Sequence, residues 1–322
     1  MDNKQTTENS RPTERVKRWG VLYCPRRGRR QQAKLWRRVE RSLKDNGVDF
    51  DFVQSESESG VSRLVTMLVD NGYTTIIIVG GDTALNNAVN SLMAVDRQKR
   101  DSIAIGIIPN GLMNDFARFW GFDEDNVEQT VGWLARRRVR RIDVGCVSYA
   151  DDDGEQHKCH FVNCVNIGLI AAIMDLRGRT RRALGSRTLS MIVSFVLMIF
   201  QRLEYKMRLK INNSELKRKV MTVCVGSAPG YGQTPSAVPY NGMLDVSVVY
   251  TPPLTQLVEG FYLLLKGKIL NHRSVHPYRT TEVEICEARH TPLAIDGRPA
   301  GEAECPVRIT VMQEEINFLI PE

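Results

Sequence analysis

Two kinds of hydrophobic pattern alternate along residues 19–144. Short apolar runs predict strands at 19–24, 48–53, 74–79 and 103–108. Between them, apolar residues recur every three or four positions, which predicts helices at 31–46, 62–71, 84–93 and 115–120, the last capped by Asp115. The runs at 74–79 and 103–108 do not alternate with polar residues, which is typical of strands buried on both faces of a parallel sheet. We therefore predict a doubly wound α/β domain over residues 17–144.

The pattern changes after Asp143. Runs rich in β-branched residues, separated by Gly, Pro and Asn, predict strands at 161–167, 206–211, 220–225, 244–249, 281–286, 293–296 and 307–316. Two helical patterns interrupt them, at 184–203 and 255–270. We interpret residues 145–322 as a mainly antiparallel β domain and the polar residues 1–16 as a disordered arm.

Composition narrows the class of protein. The 322 residues are 42% hydrophobic and 25% charged, as in soluble globular proteins and unlike disordered or fibrous ones. A net charge of +7 favours an anionic partner, such as a nucleotide or an acidic membrane surface. The seven cysteines have no regular spacing and the first residues form no signal peptide, which favours a cytoplasmic protein. The most apolar run, 189–200, is about half of the length that spans a bilayer.

Three predicted strands end in loops that are suited to phosphate. The loops contain Cys-Pro-Arg-Arg-Gly-Arg-Arg at 24–30, Gly-Gly-Asp-Thr-Ala at 80–84 and Pro-Asn-Gly-Leu-Met-Asn-Asp at 109–115, and each leads into a helix. The N–H groups of a helix N-terminus bind anions, and glycines allow the backbone to approach them closely. Ordinary strand–helix turns and a nucleotide phosphate site explain the three loops equally well on these grounds alone.

Two stretches resemble the loops of a known family. IIIVGGDTALNNAVNSL and IAIGIIPNGLMNDFARFWGF are similar to the GGDGT and PxGTGNDFAR loops of the diacylglycerol kinase and sphingosine kinase family, which includes YegS-like bacterial enzymes. The later stretches RRIDVG, FVNCVNIG, APGYGQTPSAVPYNGMLDV and LAIDGRP follow in the family's order. The resemblance implies an ATP-binding α/β domain, a β-rich lipid-substrate domain, a site in the cleft between them, and Mg²⁺-dependent phosphoryl transfer from ATP to a lipid hydroxyl such as that of diacylglycerol or a sphingoid base.

The chain departs from the family's loops at several positions. GGDGTLNE becomes GGDTALNN, so Thr83 stands for a glycine and Asn87 for a glutamate, and the late Asp-Gly-Glu becomes Asp296-Gly297-Arg298. A threonine at a left-handed glycine position costs about 1–2 kcal/mol, which predicts strain at Thr83. The Thr83 hydroxyl also offers a phosphate contact in place of the threonine that is now Ala84, and Arg26 and its neighbours offer guanidinium groups.

The loops and the resemblance together give the candidate site residues. Asp82 is the leading candidate for the catalytic base, and Asp296 is a candidate base or Mg²⁺ ligand. A helix-capping Asp82 and a turn-forming Asp296 are the structural alternatives. The candidate nucleotide-binding residues are Arg26, Gly28, Gly80, Gly81, Thr83, Asn86, Gly111, Asn114 and Asp115.

Partners and alternatives follow from the remaining features. Arg177, Arg179, Arg181 and Arg182 precede the apolar pattern at 184–203, which predicts either peripheral contact with an anionic membrane or the entry to a core helix. The sequence contains no nucleic-acid-binding signature, and it is compatible with a homodimer. A metal site among His157, Cys159, His160 and Cys164 is disfavoured, because these residues alternate along a strand. The alternatives to a lipid kinase are a non-catalytic nucleotide- or lipid-binding relative and a kinase of a soluble acceptor such as NAD.

Overall fold

The computed structural model describes residues 18–25, 29–57, 60–111, 113–151, 154–184, 204–230, 233–266, 268–288, 290–302 and 304–321. The strands within these ranges join through hydrogen bonds into one 15-stranded sheet. No helix among these residues is long and apolar enough to cross a bilayer.

The first half of the chain is an α/β unit, as predicted. Its elements are β1 (Trp19–Tyr23), α1 (Arg29–Asp45), β2 (Phe50–Gln54), α2 (Gly60–Asp70), β3 (Thr75–Gly80), α3 (Asp82–Met93), α4 (Arg97–Arg100), β4 (Ala104–Pro109), α5 (Asp115–Phe119) and α6 (Val127–Ala135). The strands are parallel and lie in the order β2-β1-β3-β4. Every residue of β3 is buried, which confirms that its unbroken apolar run marks a strand covered on both faces.

The second half is mainly antiparallel β structure, also as predicted. Its elements are β5 (Val139–Ala150), β6 (Gln156–Phe161), β7 (Cys164–Gly168), α7 (Leu169–Leu184), β8 (Tyr205–Ile211), β9 (Ser214–Gly226), β10 (Leu244–Tyr250), α8 (Leu254–Leu265), β11 (Val275–Thr280), β12 (Glu282–Ala288), β13 (Pro292–Ile295), β14 (Arg298–Glu302) and β15 (Glu304–Leu319). Among the described residues, β9 is central, because it pairs with β7, β8 and β10.

Strand β15 belongs to both halves. Its first part pairs with β12, while Asn317 and Phe318 pair in parallel with Ala104 and Ile105 of β4. Strand β5 runs antiparallel to it along most of its length. Phe318 is fully buried in the hydrophobic core of the α/β half, so the last strand completes the sheet of the first domain.

The structure differs from the sequence-based interpretation at the domain boundary. The predicted boundary at 144/145 falls inside β5, which begins at Val139. The pattern gives no signal for the start of β5, because Arg140 and Arg141 are basic and interrupt the apolar run. In the structure the Arg140 guanidinium stacks on the Tyr240 ring at 3.6 Å, and Arg141 pairs with Asp101. Most of the predicted helix at 184–203 and the arm at 1–16 lie outside the described residues.

Candidate functional site

The loops that follow β1, β3 and β4 lie side by side at the carboxyl end of the parallel sheet. The Asn110 N–H donates to the Gly80 carbonyl at 2.7 Å, and the Cys24 N–H donates to the Val79 carbonyl at 2.9 Å. The strand order reverses between β1 and β3, and doubly wound sheets bind their ligands at such a reversal. The described parts of the three predicted phosphate loops therefore share one edge of the sheet.

Gly81 and Gly111 bring two of these loops into direct backbone contact. A Cβ atom on Gly81 would lie 2.6 Å from the Gly111 Cα, and a Cβ atom on Gly111 would lie 2.5 Å from the Gly81 Cα. Any larger residue at either position would therefore push the loops apart. A substitution at Gly81 would report on loop packing as well as on phosphate binding, so a test of nucleotide binding needs another residue.

Thr83 carries no backbone strain. The prediction of strain at this position is wrong, because Thr83 lies in the first turn of α3 and has an ordinary helical conformation. Its half-buried hydroxyl stands at the N-terminus of a 12-residue helix, where the helix dipole favours an anion.

Asn114 organises the loop before α5. It adopts the left-handed conformation with φ 53°, its Oδ1 accepts the Gly111 N–H at 2.7 Å, and its Nδ2 donates to the Gly111 carbonyl at 3.2 Å. The prediction that Asp115 caps this helix is wrong: Asn114 occupies the cap position and Asp115 is the first helical residue. The side-chain bonds of Asn114 close the loop on itself.

Asp82 supplies the acceptor that caps α5. Its two carboxylate oxygens accept the backbone N–H groups of Asp115 at 3.1 Å and of Phe116 at 3.3 Å. The carboxylate is buried, and burial first, then repulsion from Asp115, raises its pKa from 3.8 to about 6. Asp82 is thus a helix cap, yet its pKa lies where a carboxylate can exchange a proton near neutral pH.

Asp296 lies at the junction of the two domains and is fully buried. Its Oδ2 accepts the Asn86 side-chain amide and the Val162 N–H, both at 2.8 Å, and its Oδ1 accepts the N–H groups of Asn163 and Cys164, both at 2.9 Å. Burial raises its pKa from 3.8 to about 7, against the three backbone N–H groups, which lower it. Four donors occupy the four acceptor positions of a carboxylate, so this geometry favours a structural joint over a metal ligand.

Helix α3 presents asparagines to the β domain. Asn86 donates to Asp296, and both Asn86 and Asn90 donate to the carbonyl of His160 on β6, at 2.8 and 2.9 Å. The His160 N–H returns a bond to the Asn90 Oδ1 at 3.0 Å. Asn86 therefore links the domains, while its role as a nucleotide-binding residue stays a prediction. The asparagines at 86, 87 and 90 were a signal in the sequence, because they interrupt the apolar pattern of the helix.

Asn163 is a residue that the sequence reasoning missed. Its backbone N–H binds Asp296, and its side chain lies beside Asp82, where the amide helps to lower the pKa of that carboxylate. The geometry falls short of a hydrogen bond, and neither side-chain polar atom has a partner among the described residues. A fully buried amide without a hydrogen-bond partner is costly, and this one lies beside Asp82 while its own backbone N–H binds Asp296, so Asn163 stands between the two carboxylates.

Two departures from the family's loops contact each other. The Arg298 guanidinium donates to the Asn87 Oδ1 at 2.7 Å across the domain junction. In the resembling family both positions carry glutamate. The chain therefore places a cation and a neutral amide where two acids would stand, which changes the charge of this side of the cleft.

An open cavity of about 440 Å³ adjoins the third loop. Its lining residues are Pro109, Asn114, Arg118, Gly121, Phe122, Asp123, Glu124 and Asp125. The volume is within the range of small-molecule sites. The three carboxylates suit hydroxyl or amine groups of a ligand better than phosphate, because they would repel an anion.

Some predicted residues lie outside the described part of the chain. These are Arg26 and Gly28, together with the side chains of Arg177, Arg179, Arg181 and Arg182. Of the four residues weighed as a metal site, His157 binds Asp151 on the β5–β6 turn at 2.7 Å. Ligand atoms of Asp151, Glu155 and His157 lie within 4.8 Å of one another, and the Asp151 carboxylate, which binds the His157 ring and accepts the Glu155 N–H, accounts for this proximity.

Two family models match the chain, one for each half. The diacylglycerol kinase catalytic domain matches residues 18–147, and the YegS C-terminal NAD kinase β sandwich-like domain matches residues 163–320. Together they cover both parts of the structure, including the glycine loops and Asp296.

Individual relatives agree with these models. A diacylglycerol kinase of Bacillus subtilis is 21% identical over 312 residues, which are 95% of this chain and 97% of the relative. A diacylglycerol kinase of Mycobacterium tuberculosis is 24% identical over 247 residues, 76% of each chain. The crystal structure of a diacylglycerol kinase from Bacillus anthracis superposes with a TM-score of 0.66 at 15% identity, covering 94% of this chain and 97% of the other, which shows the shared fold.

Proposed function

The chain belongs to the diacylglycerol kinase and YegS-like lipid kinase family, and from that premise we propose that it transfers the γ-phosphate of ATP to the hydroxyl of a lipid, such as diacylglycerol or a sphingoid base. One observation carries the proposal. A buried carboxylate with a pKa of about 6, that of Asp82, lies where the glycine loops of the α/β half meet the β domain.

The residues of the chain have distinct tasks in this proposal. Phosphoryl transfer requires mainly positioning and charge stabilisation, with a carboxylate to accept the hydroxyl proton. Asp82 accepts that proton, and the α3 N-terminus with Thr83 holds the phosphates. The cavity beside Asn114 and Glu124 receives the nucleoside, whose ribose hydroxyls suit its carboxylates.

Neither candidate carboxylate is free to hold a magnesium ion. N–H donors use the four acceptor positions of Asp296, and Asp82 is the base of this proposal, a role that a bound cation would suppress by lowering its pKa. The ion, which when bound neutralises phosphate charge, would be held by the nucleotide phosphates. Asp296 instead fixes the position of the loop at 162–164.

A specific observation favours a second candidate function, a non-catalytic nucleotide- or lipid-binding relative. Arg298 and Asn87 replace two acids of the family and bind each other. If either acid is needed for turnover, the chain binds its ligands without reacting them.

The proposal is tested with purified protein, labelled ATP, Mg²⁺ and a panel of lipid vesicles that contain diacylglycerol, sphingosine or a long-chain alcohol. A labelled lipid that forms in proportion to the enzyme supports the kinase. If ATP raises the melting temperature but no lipid is labelled, the chain is a binding relative. If ATP produces no shift either, the kinase and the nucleotide-binding relative are both excluded.

Thr83→Val is expected to weaken ATP binding at least about tenfold. The change removes a hydroxyl at the phosphate position while keeping the shape of the side chain, and a hydrogen bond to a charged group contributes about 1.5–3 kcal/mol. Thermal-shift titration with ATP measures the effect. Thr130→Val is the matched control, because Thr130 is a fully buried threonine of α6 outside the site and should bind ATP as the wild type does. Equal affinities for ATP in all three proteins would show that Thr83 does not bind the phosphates.

We also propose that the protein works as a peripheral protein at the cytoplasmic face of an anionic membrane, with Arg177, Arg179, Arg181 and Arg182 near the lipid headgroups. A basic residue beside an anionic leaflet contributes about 1 kcal/mol, and salt weakens the attraction. Changing Arg179, Arg181 and Arg182 to Glu should therefore reduce co-sedimentation with anionic vesicles and leave the melting temperature unchanged. A lower melting temperature would place these arginines in the folded core.

A further inference from the structure

Helix α8, which spans Leu254–Leu265, exposes an apolar stripe. Val258 is 75% exposed and Tyr262 is 59% exposed, the two highest values among the large hydrophobic side chains of the described residues. The other exposed large hydrophobic side chains among these residues are those of Phe52, Met67 and Val139, which are between 39% and 48% exposed. Val258 and Tyr262 are four residues apart, so they lie on the same face, one turn from each other.

The contacts of the opposite face hold the helix on the β domain. Leu263 packs against a small cluster that contains Ile269 and Val275. The His272 ring binds the Gln256 carbonyl through Nε2 at 3.1 Å. These contacts fix the orientation of α8, and they leave Val258 and Tyr262 facing outwards.

Basic residues lie beside Tyr262 and in or beside the segments that precede and follow α8. Lys266, one turn beyond Tyr262, places its Nζ 5.8 Å from the centre of the Tyr262 ring, and Lys268 and Arg273 are exposed just after the helix. Before the helix, the Arg218 guanidinium lies 5.5 Å from the Tyr250 ring. Glu259 is the one acidic residue of α8 and is exposed beside the stripe, which limits how deeply the helix can insert.

The stripe lies at the end of the β domain from which α7 also departs. On strand β9, Thr222 pairs with Gly168, the residue before α7, and Val220 pairs with Tyr250, which precedes α8. Both helices therefore start near the same stretch of strand β9. Helix α7 leads into the arginines for which membrane contact is proposed.

We infer that α8 docks the protein on an anionic bilayer. Val258 and Tyr262 enter the boundary between headgroups and acyl chains, and Lys266 and Arg218 bind lipid phosphates. The sequence of an apolar side chain, a tyrosine and a lysine at four-residue intervals matches the polarity gradient of the membrane interface, where tyrosine and lysine are favoured. The inference rests on the proposed function for its purpose, since a lipid acceptor lies in a bilayer, and it adds a second contact to the arginines of α7.

The test is co-sedimentation of the full chain with phosphatidylcholine vesicles, with and without phosphatidylglycerol. We expect wild-type protein to bind the anionic vesicles and V258S/Y262S to bind them at least about tenfold more weakly, because two large apolar groups no longer leave water. Met67→Ser is the matched control, since Met67 is an exposed apolar residue of helix α2, and it should bind as the wild type does. Melting curves of all three proteins should coincide.

Any result in which wild-type binding is absent, or is unchanged in V258S/Y262S, overturns the inference. Equal binding of V258S/Y262S and wild type, or no binding of the wild type to anionic vesicles, removes α8 as a docking helix. A smaller solution mass of V258S/Y262S by light scattering, with vesicle binding unchanged, assigns the stripe to contact between two copies of the chain. Failure of the kinase is separate: if the wild type binds vesicles through α8 but labels no lipid, the proposed reaction is wrong and the docking helix stands.

Discussion

Asp82→Asn is expected to lower turnover at least about a hundredfold while the protein remains folded. A general base contributes on this scale, and an asparagine cannot accept the hydroxyl proton. The amide oxygen still accepts an N–H at the start of α5, so the loss of capping is expected to destabilise the fold by only about 1 kcal/mol. Turnover with the preferred lipid, together with circular dichroism melting of the same samples, measures both effects.

The matched control is Asp143→Asn. Asp143 is also a buried aspartate, and its oxygens accept the N–H groups of Gly242 and Glu314 on the β5–β15 side of the fold. The same substitution there removes the same number of backbone contacts without touching the glycine loops. Equal losses of turnover in both variants would show that Asp82 acts through the fold alone.

The pH dependence of the wild type gives a second measurement on Asp82. The folded pKa of Asp82 is about 6, so the fraction of ionised base increases as the pH rises through 6. We expect kcat/KM to rise with an apparent pKa near 6 and to level off above it. A profile that is flat between pH 5 and pH 7 would contradict a base with this pKa.

Asp296→Ala is expected to lower the free energy of unfolding by about 3 kcal/mol or more. The change leaves three buried backbone N–H groups and one N–H of the Asn86 amide without an acceptor, and each unpaired buried group costs about 1–3 kcal/mol. Asp143→Ala, which frees two N–H groups, should cost about half as much. Urea unfolding of the three proteins measures the series.

The sign of the pH effect on stability follows from the raised pKa of Asp296. The group has a pKa of 3.8 when unfolded and about 7 when folded, so the folded state binds its proton more tightly. Its contribution to stability is complete below about pH 4 and is lost as the pH rises to about 7. Asp296→Ala should remove this part of the slope. If Asp296→Ala is as stable as the wild type but inactive, Asp296 takes part in the reaction, as the sequence predicts.

The sequence was sufficient for the parts of the fold that local pattern determines. The unbroken apolar run of β3 and the glycine loop behind it predicted a buried parallel strand that leads to a site. Strand β5 was missed because its first residues are exposed and basic. The Tyr240 ring, the Asp101 carboxylate and the Glu314 carbonyl, which are distant in the chain, explain why arginines are stable in that strand.

The candidate site was harder to predict because its bonds join residues that are distant in the chain. The motif identified Asp296 as a turn residue, and the structure confirms the turn with φ 44°. Its four donors come from positions 86 and 162–164, which no local pattern connects to it. Asn163 was missed for the same reason, because its importance depends on a buried amide that lies between two distant carboxylates.

The position of β15 has a consequence for the order in which the protein folds during synthesis. Strand β4 pairs with Asn317 and Phe318, and Phe318 fills the core of the first domain. While the ribosome is still making residues 150–300, β4 therefore has an unpaired edge and its core lacks an aromatic side chain. Domains usually complete folding one after the other as the chain emerges, and exposed strand edges favour aggregation meanwhile. Here the first domain completes its sheet only when the last strand has emerged, so we expect its edge to stay exposed through most of translation.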